Sequence, residues 1–249
     1  MATTITIANQ KGGAGKTTTA VAVAYALANL GRRVLVLDAD PQGSATYWLV
    51  NGAGDRKRLE HVLFDGEPID QAVCSVAPNV DLVPTGNNLA SADRHLSQEP
   101  GAEFRLSECL EPVKGAYDFI LIDSPPQLSL ITFNALCAAD TVIIPVQASA
   151  LDLNGLGRLL QTLKSLEVRL RHPLHLLGVV LTRIRTGTRI ARETRELLAR
   201  HSLEILATVP EAVRVNEAPN GHGNFRDIGA EHPVVVAYDV LARRIIDGR

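Results

Sequence analysis

The residue types most suited to chemistry lie in one short run, Lys11-Gly12-Gly13-Ala14-Gly15-Lys16-Thr17-Thr18. Glycines let consecutive backbone N–H groups converge on an anion, and a helix that starts directly afterwards adds the positive end of its dipole. In a nucleoside-triphosphate site, a lysine reaches the β- and γ-phosphates and a hydroxyl binds Mg²⁺. Lys16 and Thr17 stand at those two positions, so the run predicts a phosphate-binding loop.

This loop departs from the usual pattern, G-x-x-x-x-G-K-[ST], at its beginning. Gln10 stands where the first glycine is expected, and a second lysine, Lys11, precedes Lys16 in the same loop. A single phosphate loop needs only one lysine for the phosphates. Lys11 therefore requires a separate explanation.

Two apolar runs further along the chain end in aspartate, the first at Asp38-Ala39-Asp40 and the second at Asp123, which Ser-Pro-Pro follows. In open α/β sheets the strands present ligand-binding groups at their carboxyl ends. The first pair of carboxylates is expected to serve a metal ion and an attacking water. Asp123 is expected to hold Mg²⁺, as the aspartate after a second strand of a phosphate site often does.

The surrounding residues predict the elements that position these groups. A β-rich run precedes the loop, a helical pattern follows it, and a second apolar run comes next, which is the context that a phosphate loop requires. The predicted strands are Ile5–Asn9, Val34–Asp38, Val80–Pro84, Phe119–Asp123, Thr141–Val146, Leu176–Thr182 and Ile205–Pro210. The clearest helical patterns are Thr17–Leu30, Asp152–Val168, Thr188–His201 and Val234–Ile246.

The predicted fold class is α/β, with one phosphate-loop NTPase domain over residues 1–249. Most of the strand runs are continuously apolar, which is typical of a parallel sheet covered on both faces. We therefore expect a mostly parallel twisted sheet with helices on both faces. The segment Asn51–Asn79 is the most polar and least regular, and it is predicted to be a surface elaboration.

Composition narrows the classes of function. The formal net charge of −2 leaves nucleic-acid contact to a local patch, and an aromatic content of 4% argues against a base-stacking surface. No apolar run approaches the ~20 residues of a membrane span. The three scattered cysteines are expected to be free thiols in a reducing cytoplasm.

Taken together, these motifs resemble the deviant Walker A ATPases, and within them the ParA/Soj partitioning ATPases. The second lysine of the loop, the Asp38-Ala-Asp-Pro-Gln-Gly segment and Asp123-Ser-Pro-Pro carry the resemblance. A segment that begins at Pro210 is similar to the family's P-x-x-V-R-x-x-E-A-P pattern. Matching segments run from residue 5 to about residue 240.

The resemblance implies a role for each site residue. In this family two subunits sandwich two ATP molecules, and the extra lysine, here Lys11, reaches the partner's phosphates. It implies that Lys16 neutralises the β/γ-phosphates, that Asp40 orients the attacking water, and that Thr17, Asp38 and Asp123 serve Mg²⁺. The remaining predicted nucleotide contacts are Gly12, Gly13, Ala14, Gly15 and Thr18 for the phosphates and Thr182, Arg183, Pro210 and Glu211 for the adenine. Glu211-Ala212 replaces the family's frequent Arg-Asn, which puts the base contacts in doubt.

A basic stretch indicates a contact with non-specific double-stranded DNA. Between residues 183 and 200 six arginines stand against two glutamates. Arginine contacts to phosphates are independent of sequence and sensitive to salt. The predicted DNA contacts are Arg185, Arg189, Arg192 and Arg214, the last in the segment where relatives bring an arginine to DNA. The alternative is an ordinary solvated helix, because Arg189–Glu193 and Arg192–Glu196 have i,i+4 spacing.

The resulting functional hypothesis is a bacterial, cytoplasmic, nucleoid-associated ATPase whose ATP-bound dimers bind DNA. A ParB-like or other cargo-adaptor protein would stimulate its slow hydrolysis and so position a plasmid or chromosome. The cargo could equally be a protein assembly such as a microcompartment. A MinD-like membrane-associated division regulator is an alternative, although no bulky apolar tail follows the last helical pattern. A metabolic enzyme, either a nitrogenase-type reductase or a small-molecule ligase, is the third class.

Overall fold

A computed structural model of the chain describes residues 1–52, 54–97, 100–148, 157, 160–165, 167–168, 174–185, 187–212 and 224–248. Within those residues, one sheet contains eight strands. They are β1 (Thr3–Ile7), β2 (Val34–Asp38), β3 (Cys74–Ala77), β4 (Val80–Val83), β5 (Phe119–Asp123), β6 (Thr141–Gln147), β7 (His175–Ile184) and β8 (Ile205–Pro210).

The strand order in the sheet is β3-β4-β2-β5-β1-β6-β7-β8. All neighbouring strands are parallel except β3, which pairs antiparallel with β4 at one edge. Parallel pairing places the carboxyl ends of β1, β2 and β5 at the same edge, and Asp38 lies in register with Asp123. The prediction of a mostly parallel α/β sheet is confirmed, and the site residues that follow these strands are brought together by it.

Helices cover both faces of the sheet. Their bounds in the described residues are α1 (Lys16–Asn29), α2 (Ser44–Val50), α3 (Leu59–Asp65), α4 (Ala92–Leu96), α5 (Arg105–Leu110), α6 (Leu130–Cys137), α7 (Arg189–Arg200) and α8 (Pro233–Ile246). Val34 and Val36 of β2 pack in the core under α1 and α8, whereas Leu35 and Leu37 pack in the core under α3 to α6. This alternation explains why the strand is apolar at every position.

The predicted strands and the helices α1, α7 and α8 agree with the structure to within two residues at nearly every end. The prediction for Asn51–Asn79 was wrong, because part of this segment belongs to the core. Leu59, Val62 and Leu63 of α3 are buried, and β3 extends the sheet. Both elements are short, so neither shows a full hydrophobic period in the sequence. Of the predicted helix Asp152–Val168, the described residues are helical and the others lie outside the description.

Candidate functional site

The glycine loop runs from the end of β1 to the first turn of α1. Gly13 and Gly15 have φ angles of 76° and 95°, which place both in the left-handed region that favours glycine. A side chain on Gly15 would also meet the methyl group of Thr182 at 3.3 Å. The Thr182 hydroxyl donates to the Ala14 carbonyl at 2.8 Å, so β7 fixes the loop from the side. The loop's backbone conformation thus depends on its glycines and on Thr182.

A cleft of about 580 Å³ opens directly above the loop. Its walls come from the loop and α1, from the turn and helix after β2, from Pro126 after β5, and from Arg183 near the end of β7. The lining residues are Gly12, Gly13, Gly15, Lys16, Thr17, Thr18, Asp40, Gln42, Ser44, Tyr47, Trp48, Pro126 and Arg183. The structure therefore brings Asp40 to the predicted phosphate-binding residues across the cleft.

Lys16 is the buried cation of the site, with 7% of its surface exposed. Burial lowers the pKa of its ammonium, and the negative charges of Asp123 and Asp40 partly offset that effect. Its Nζ donates to the Lys11 carbonyl at 3.4 Å. A cation held among carboxylates at the start of a helix is well placed to neutralise the phosphates of a nucleotide.

Asp123 has the features of a metal-site carboxylate. It is fully buried, and neither carboxylate oxygen has a hydrogen-bond partner of normal length and angle among the described residues. Burial and the neighbouring Asp38 raise its pKa well above the usual range, while Thr17 and Lys16 lower it. Since a fully buried carboxylate with so little compensation is costly, the side chains of Asp123 and Thr17 would suit a Mg²⁺ ion, which would supply the missing counter-charge.

The described residues contain no group of three or more carboxylate, histidine or cysteine side chains that could hold a metal ion alone. Mg²⁺ is commonly bound by one or two protein groups together with substrate phosphates and water. The sparse donor set at Thr17 and Asp123 suits that arrangement better than an all-protein cage.

Asp38 plays a different structural part from the two other aspartates. Its Oδ2 accepts hydrogen bonds from the backbone N–H and the hydroxyl of Thr46, both at 2.7 Å. The Thr46 hydroxyl in turn accepts from the N–H of Thr85 at 3.0 Å. Asp38 does not line the cleft, so any effect on Mg²⁺ would pass through water or through Asp123.

Burial raises the pKa of Asp38 to about 7, and its hydrogen bonds from Thr46 act in the opposite direction. An ordinary carboxyl titrates near 4. Between about pH 4 and pH 7 the folded protein therefore holds a proton that the unfolded chain has lost. The sign of this difference means that the free energy of unfolding falls as pH rises through that window.

Asp38→Asn is accordingly expected to stabilise the nucleotide-free protein at pH 8, by on the order of 2 kcal/mol, and to change its stability little at pH 5. The asparagine carries no charge, and its oxygen can still accept from Thr46. Its Nδ2 replaces the oxygen that accepts from the N–H of Asp40 at 3.2 Å, a loss that is the same at both pH values. Urea unfolding in the presence of a metal chelator, followed by fluorescence of the single tryptophan, measures the effect. Asp70→Asn, at an exposed position, is the control. An equal gain at both pH values would contradict the raised pKa.

Asp40 is the aspartate that faces the cleft. It retains 9% exposure, and its Oδ1 accepts from the N–H of Gln42 at 2.9 Å. The other end of the turn is also held, since the N–H of Gly43 donates to the Asp40 carbonyl at 2.8 Å. A carboxylate fixed by its own turn and open to the phosphate cleft is suitably placed to hold a water molecule.

The four predicted adenine contacts also lie together. Thr182, Arg183, Pro210 and Glu211 line a second, smaller cavity, which shares Gly15 and Thr18 with the phosphate loop. Arg183 has a φ of 51°, an uncommon conformation for a residue other than glycine, at a shift in the pairing of β7 with β8. Arg183 lines both cavities at this irregularity.

Three of the four predicted DNA-binding arginines lie on or beside α7. Arg185 forms an ion pair with Glu211, and Arg189 forms one with Glu193 at 2.6 Å. Arg192 is exposed, and no ion pair joins it to Glu196 or to another residue in the described part of the chain. The alternative interpretation, a solvated helix with i,i+4 ion pairs, therefore holds for Arg189–Glu193 and does not hold for Arg192–Glu196. Arg214 lies outside the described residues.

Several site residues escaped the sequence analysis. Thr46 donates a hydrogen bond to Asp38. Tyr47 and Trp48 line the cleft, and Asn9 connects the loop to β6. The helix α2 has only seven residues, so its hydrophobic pattern did not identify Thr46, Tyr47 and Trp48 as site residues. Asn9 did leave a signal, because an asparagine between a strand and a glycine loop commonly forms a side-chain turn.

Comparisons with known proteins agree with the geometry. The AAA domain family model matches residues 2–176. The sporulation initiation inhibitor protein Soj of Bacillus subtilis is 38% identical over 248 residues, which is 96% of this chain and 98% of Soj. The chromosome partitioning protein ParA of Caulobacter vibrioides is 37% identical, over 87% of this chain and 83% of ParA.

Solved structures with bound nucleotide share the fold. Cobyrinic acid a,c-diamide synthase from Mycobacterium smegmatis, with an ATP analogue and magnesium, is 30% identical and superposes with a TM-score of 0.87, covering 100% of this chain and 98% of that one. An ATP complex of Cyanothece McdA is 27% identical with a TM-score of 0.87, covering 99% and 96%.

None of the helices in the described part of the chain combines the length and apolar character that a bilayer crossing requires. The identity to Soj and ParA extends over most of each chain. The chain therefore belongs to the ParA/Soj family of partitioning ATPases.

Proposed function

We propose that this protein is an ATPase that binds ATP with Mg²⁺ in the cleft above residues 11–18. The backbone N–H groups of the loop and the Lys16 ammonium bind the β- and γ-phosphates. Thr17 and Asp123 hold Mg²⁺, which would neutralise charge on the transferring phosphoryl group. The adenine lies in the cavity beside Thr182 and Pro210. The nucleotide-bound structures of McdA and of the M. smegmatis synthase support this assignment.

Bound ATP favours a homodimer in which two nucleotides face each other. Two triphosphates at close range repel strongly, and a lysine from each subunit offsets that repulsion. Lys11 is the residue assigned to this task, because Lys16 is buried in its own subunit's loop. Anything that binds the dimer better than the monomer shifts the equilibrium toward the dimer.

Hydrolysis ends the dimer state. Asp40 orients a water molecule for attack on the γ-phosphate, and loss of that phosphate removes the charge around which the dimer is built. The reaction is slow until a ParB-like or other cargo-adaptor protein stimulates it. The ATP-bound dimer meanwhile binds non-specific duplex DNA on the nucleoid, and local release moves a plasmid, a chromosome locus or a protein assembly.

The observation that carries this proposal is the pair of lysines in one loop, with Lys16 buried against Asp123 and Lys11 at the loop's outer side. Light-scattering mass measurements with ATP·Mg²⁺, ADP·Mg²⁺ and no nucleotide test it. We expect a dimer with ATP alone, and for Lys11→Ala an ATP-dependent association so weakened that the protein is monomeric here and associates only at far higher protein concentration. A Lys11→Ala variant that still dimerises with ATP would assign the cross-subunit role elsewhere.

Arg192→Glu is expected to weaken binding of the ATP-bound protein to non-specific duplex DNA by roughly tenfold and to reduce its salt dependence. The reason is that the exposed Arg192 has no carboxylate neighbour that already neutralises it within the described residues. Fluorescence anisotropy over a salt series measures both quantities. Arg32→Glu is the matched control, because Arg32 is exposed at the opposite, amino-terminal edge of the sheet. Equal losses in the two variants would indicate a general charge effect and no DNA surface on α7.

A small-molecule ligase is the second candidate, because one structural neighbour carries the name of a diamide synthase. Such an enzyme couples ATP cleavage to amidation of a carboxylic acid, whereas a partitioning ATPase transfers the phosphoryl group to water. Phosphate release measured with and without an acid acceptor and an amide-nitrogen donor separates the two. Release that requires both would favour the ligase.

A further inference from the structure

Asn9 connects the glycine loop to the neighbouring strand. It follows β1 and is 3% exposed. Its Nδ2 donates to the carbonyl of Pro145 in β6 at 2.6 Å, and its Oδ1 accepts from the backbone N–H of Lys11 at 3.0 Å. One short side chain therefore joins the sheet to the backbone of the second lysine.

The Pro145 contact continues the sheet's own hydrogen-bond pattern. The N–H of Ala8 donates to the carbonyl of Ile143 at 3.1 Å. In a parallel pair the next bond would join the residue two places further along each strand, namely the N–H of Gln10 to the carbonyl of Pro145. The chain leaves the sheet before that point, and the Asn9 amide takes the place of the missing N–H. The start of the loop is thereby fixed to β6.

Lys11 is held on both sides of its Cα atom. Asn9 accepts from its N–H, and the Lys16 ammonium donates to its carbonyl. Lys11 itself lies at the mouth of the loop and is partly exposed. The backbone of Lys11, from which its side chain extends, is thus fixed at two points. Asn9 links it to the sheet, and Lys16 links it to the proposed phosphate site.

We infer that Asn9 is a positioning residue for Lys11: it sets the point from which the Lys11 side chain extends to the phosphates of a second copy of this chain. This inference rests on the proposed ATP-dependent dimer. A long lysine side chain reaches a distant anion productively only if its base is fixed, since small displacements remove much of a preorganised contact. Asn9 makes no contact with the proposed nucleotide in this account and acts through Lys11.

The chemistry requires an asparagine. The position needs one donor for the Pro145 carbonyl and one acceptor for the Lys11 N–H on a short side chain, and a neutral amide supplies both. Serine can accept from a backbone N–H two residues on, but it is too short to reach the neighbouring strand as well. Alanine provides neither group. Asn9→Ser therefore removes the link to Pro145 and can keep the link to Lys11, whereas Asn9→Ala removes both links.

The test measures ATP-dependent dimerisation by sedimentation and ATP affinity by a fluorescent nucleotide, for the full chain and its Asn9→Ala, Asn9→Ser, Lys11→Ala and Asn9→Ala/Lys11→Ala variants. Asn9→Ala is expected to weaken dimerisation by about tenfold while ATP affinity changes by less than about threefold. Asn9→Ser should fall between Asn9→Ala and the wild type. The double variant should dimerise no worse than Lys11→Ala, because Asn9 acts through Lys11.

Asn134→Ala is the matched control. Asn134 is a fully buried asparagine that also bridges separate backbone segments. Its Nδ2 donates to the carbonyls of Ala102 at 2.8 Å and Leu130 at 3.0 Å, and its Oδ1 accepts from the Leu106 N–H at 2.9 Å. Asn134→Ala should lower the melting temperature, and it should not weaken dimerisation more than it weakens ATP binding. If Asn9→Ala does not fold, Asn9→Ser carries the test, because its hydroxyl can preserve the local turn.

Three results would overturn the inference: normal dimerisation of Asn9→Ala, or of Asn9→Ser if Asn9→Ala does not fold; an equal loss of ATP affinity and dimerisation; or additive losses in the double variant. The proposed function fails in a different way, because Lys11→Ala itself would then dimerise like the wild type. If Lys11→Ala is monomeric and Asn9→Ala dimerises normally, the proposed function stands and only the role of Asn9 is wrong.

Discussion

Lys16→Ala is expected to lower ATP affinity on the order of a hundredfold, equivalent to about 3 kcal/mol, and to abolish ATP hydrolysis with it. Lys16 is the buried cation of the loop, and the negative charges of Asp123 and Asp40 act on its ammonium group. Removing it leaves those carboxylates without a counter-charge and deprives the phosphates of their nearest cation. Titration with a fluorescent ATP analogue gives the affinity directly.

The matched control for this prediction lies in the same loop. Lys11→Ala removes the partly exposed lysine at the start of the loop, so it should keep most of the ATP affinity and lose dimerisation instead. Lys57→Ala, at a surface pair with Glu67, should change neither. Tight ATP binding and turnover by Lys16→Ala would contradict the assignment of residues 11–18 as the phosphate-binding loop.

Asp40→Ala is expected to leave ATP binding and dimerisation intact and to slow hydrolysis by about a hundredfold or more. Asp40 faces the cleft from a turn that its own hydrogen bonds fix, whereas the loop that we propose to hold the phosphates lines the other side. The variant should therefore accumulate as an ATP-bound dimer. Single-turnover hydrolysis and sedimentation on the same sample measure the two properties.

Asp70→Ala provides the comparison for Asp40→Ala, because it removes an exposed aspartate remote from the cleft and should hydrolyse ATP at the wild-type rate. The buried Asp38 and Asp123 are poor controls, since changing either alters the charge and stability of the site itself. Hydrolysis at the wild-type rate by Asp40→Ala would show that another group orients the water.

The sequence predicted those parts of the fold that depend on local pattern and loop chemistry. Val34–Asp38 and Phe119–Asp123 were placed correctly because continuous apolar runs that end in aspartate have few other interpretations. The glycine loop was equally clear, since Gly13 and Gly15 adopt conformations that glycine favours. These elements account for the centre of the sheet and for the cleft's base.

Features that depend on contacts between distant parts of the chain were not predictable in this way. The hydrogen bond from Thr85 to Thr46 joins residues that only the folded sheet brings together. Tyr47 and Trp48 line the cleft because α2 packs beside α1, and a seven-residue helix leaves almost no periodic signal. The core position of Leu59 and Leu63 was missed because polar neighbours conceal them in the sequence.

The arrangement of the aspartates shows why spacing alone gives an incomplete account of a site. Asp38 and Asp40 are two residues apart, yet one is fully buried under Thr46 and the other opens to the cleft. Their environments differ because the chain turns at Pro41 and Gly43, where the strand ends. Different environments give the two carboxylates different duties even though the sequence presents them as a pair.

Binding of the purified protein to non-specific duplex DNA, with ATP, ADP and no nucleotide across a salt series, tests the central claim most directly. We expect tight binding with ATP alone, steeply weakened by salt and lost in Lys11→Ala, because only the ATP-bound dimer doubles the arginine surface. Absence of binding in every nucleotide state, with ATP-dependent dimerisation intact, would contradict a DNA-based positioning ATPase and make α7 an ordinary solvated helix.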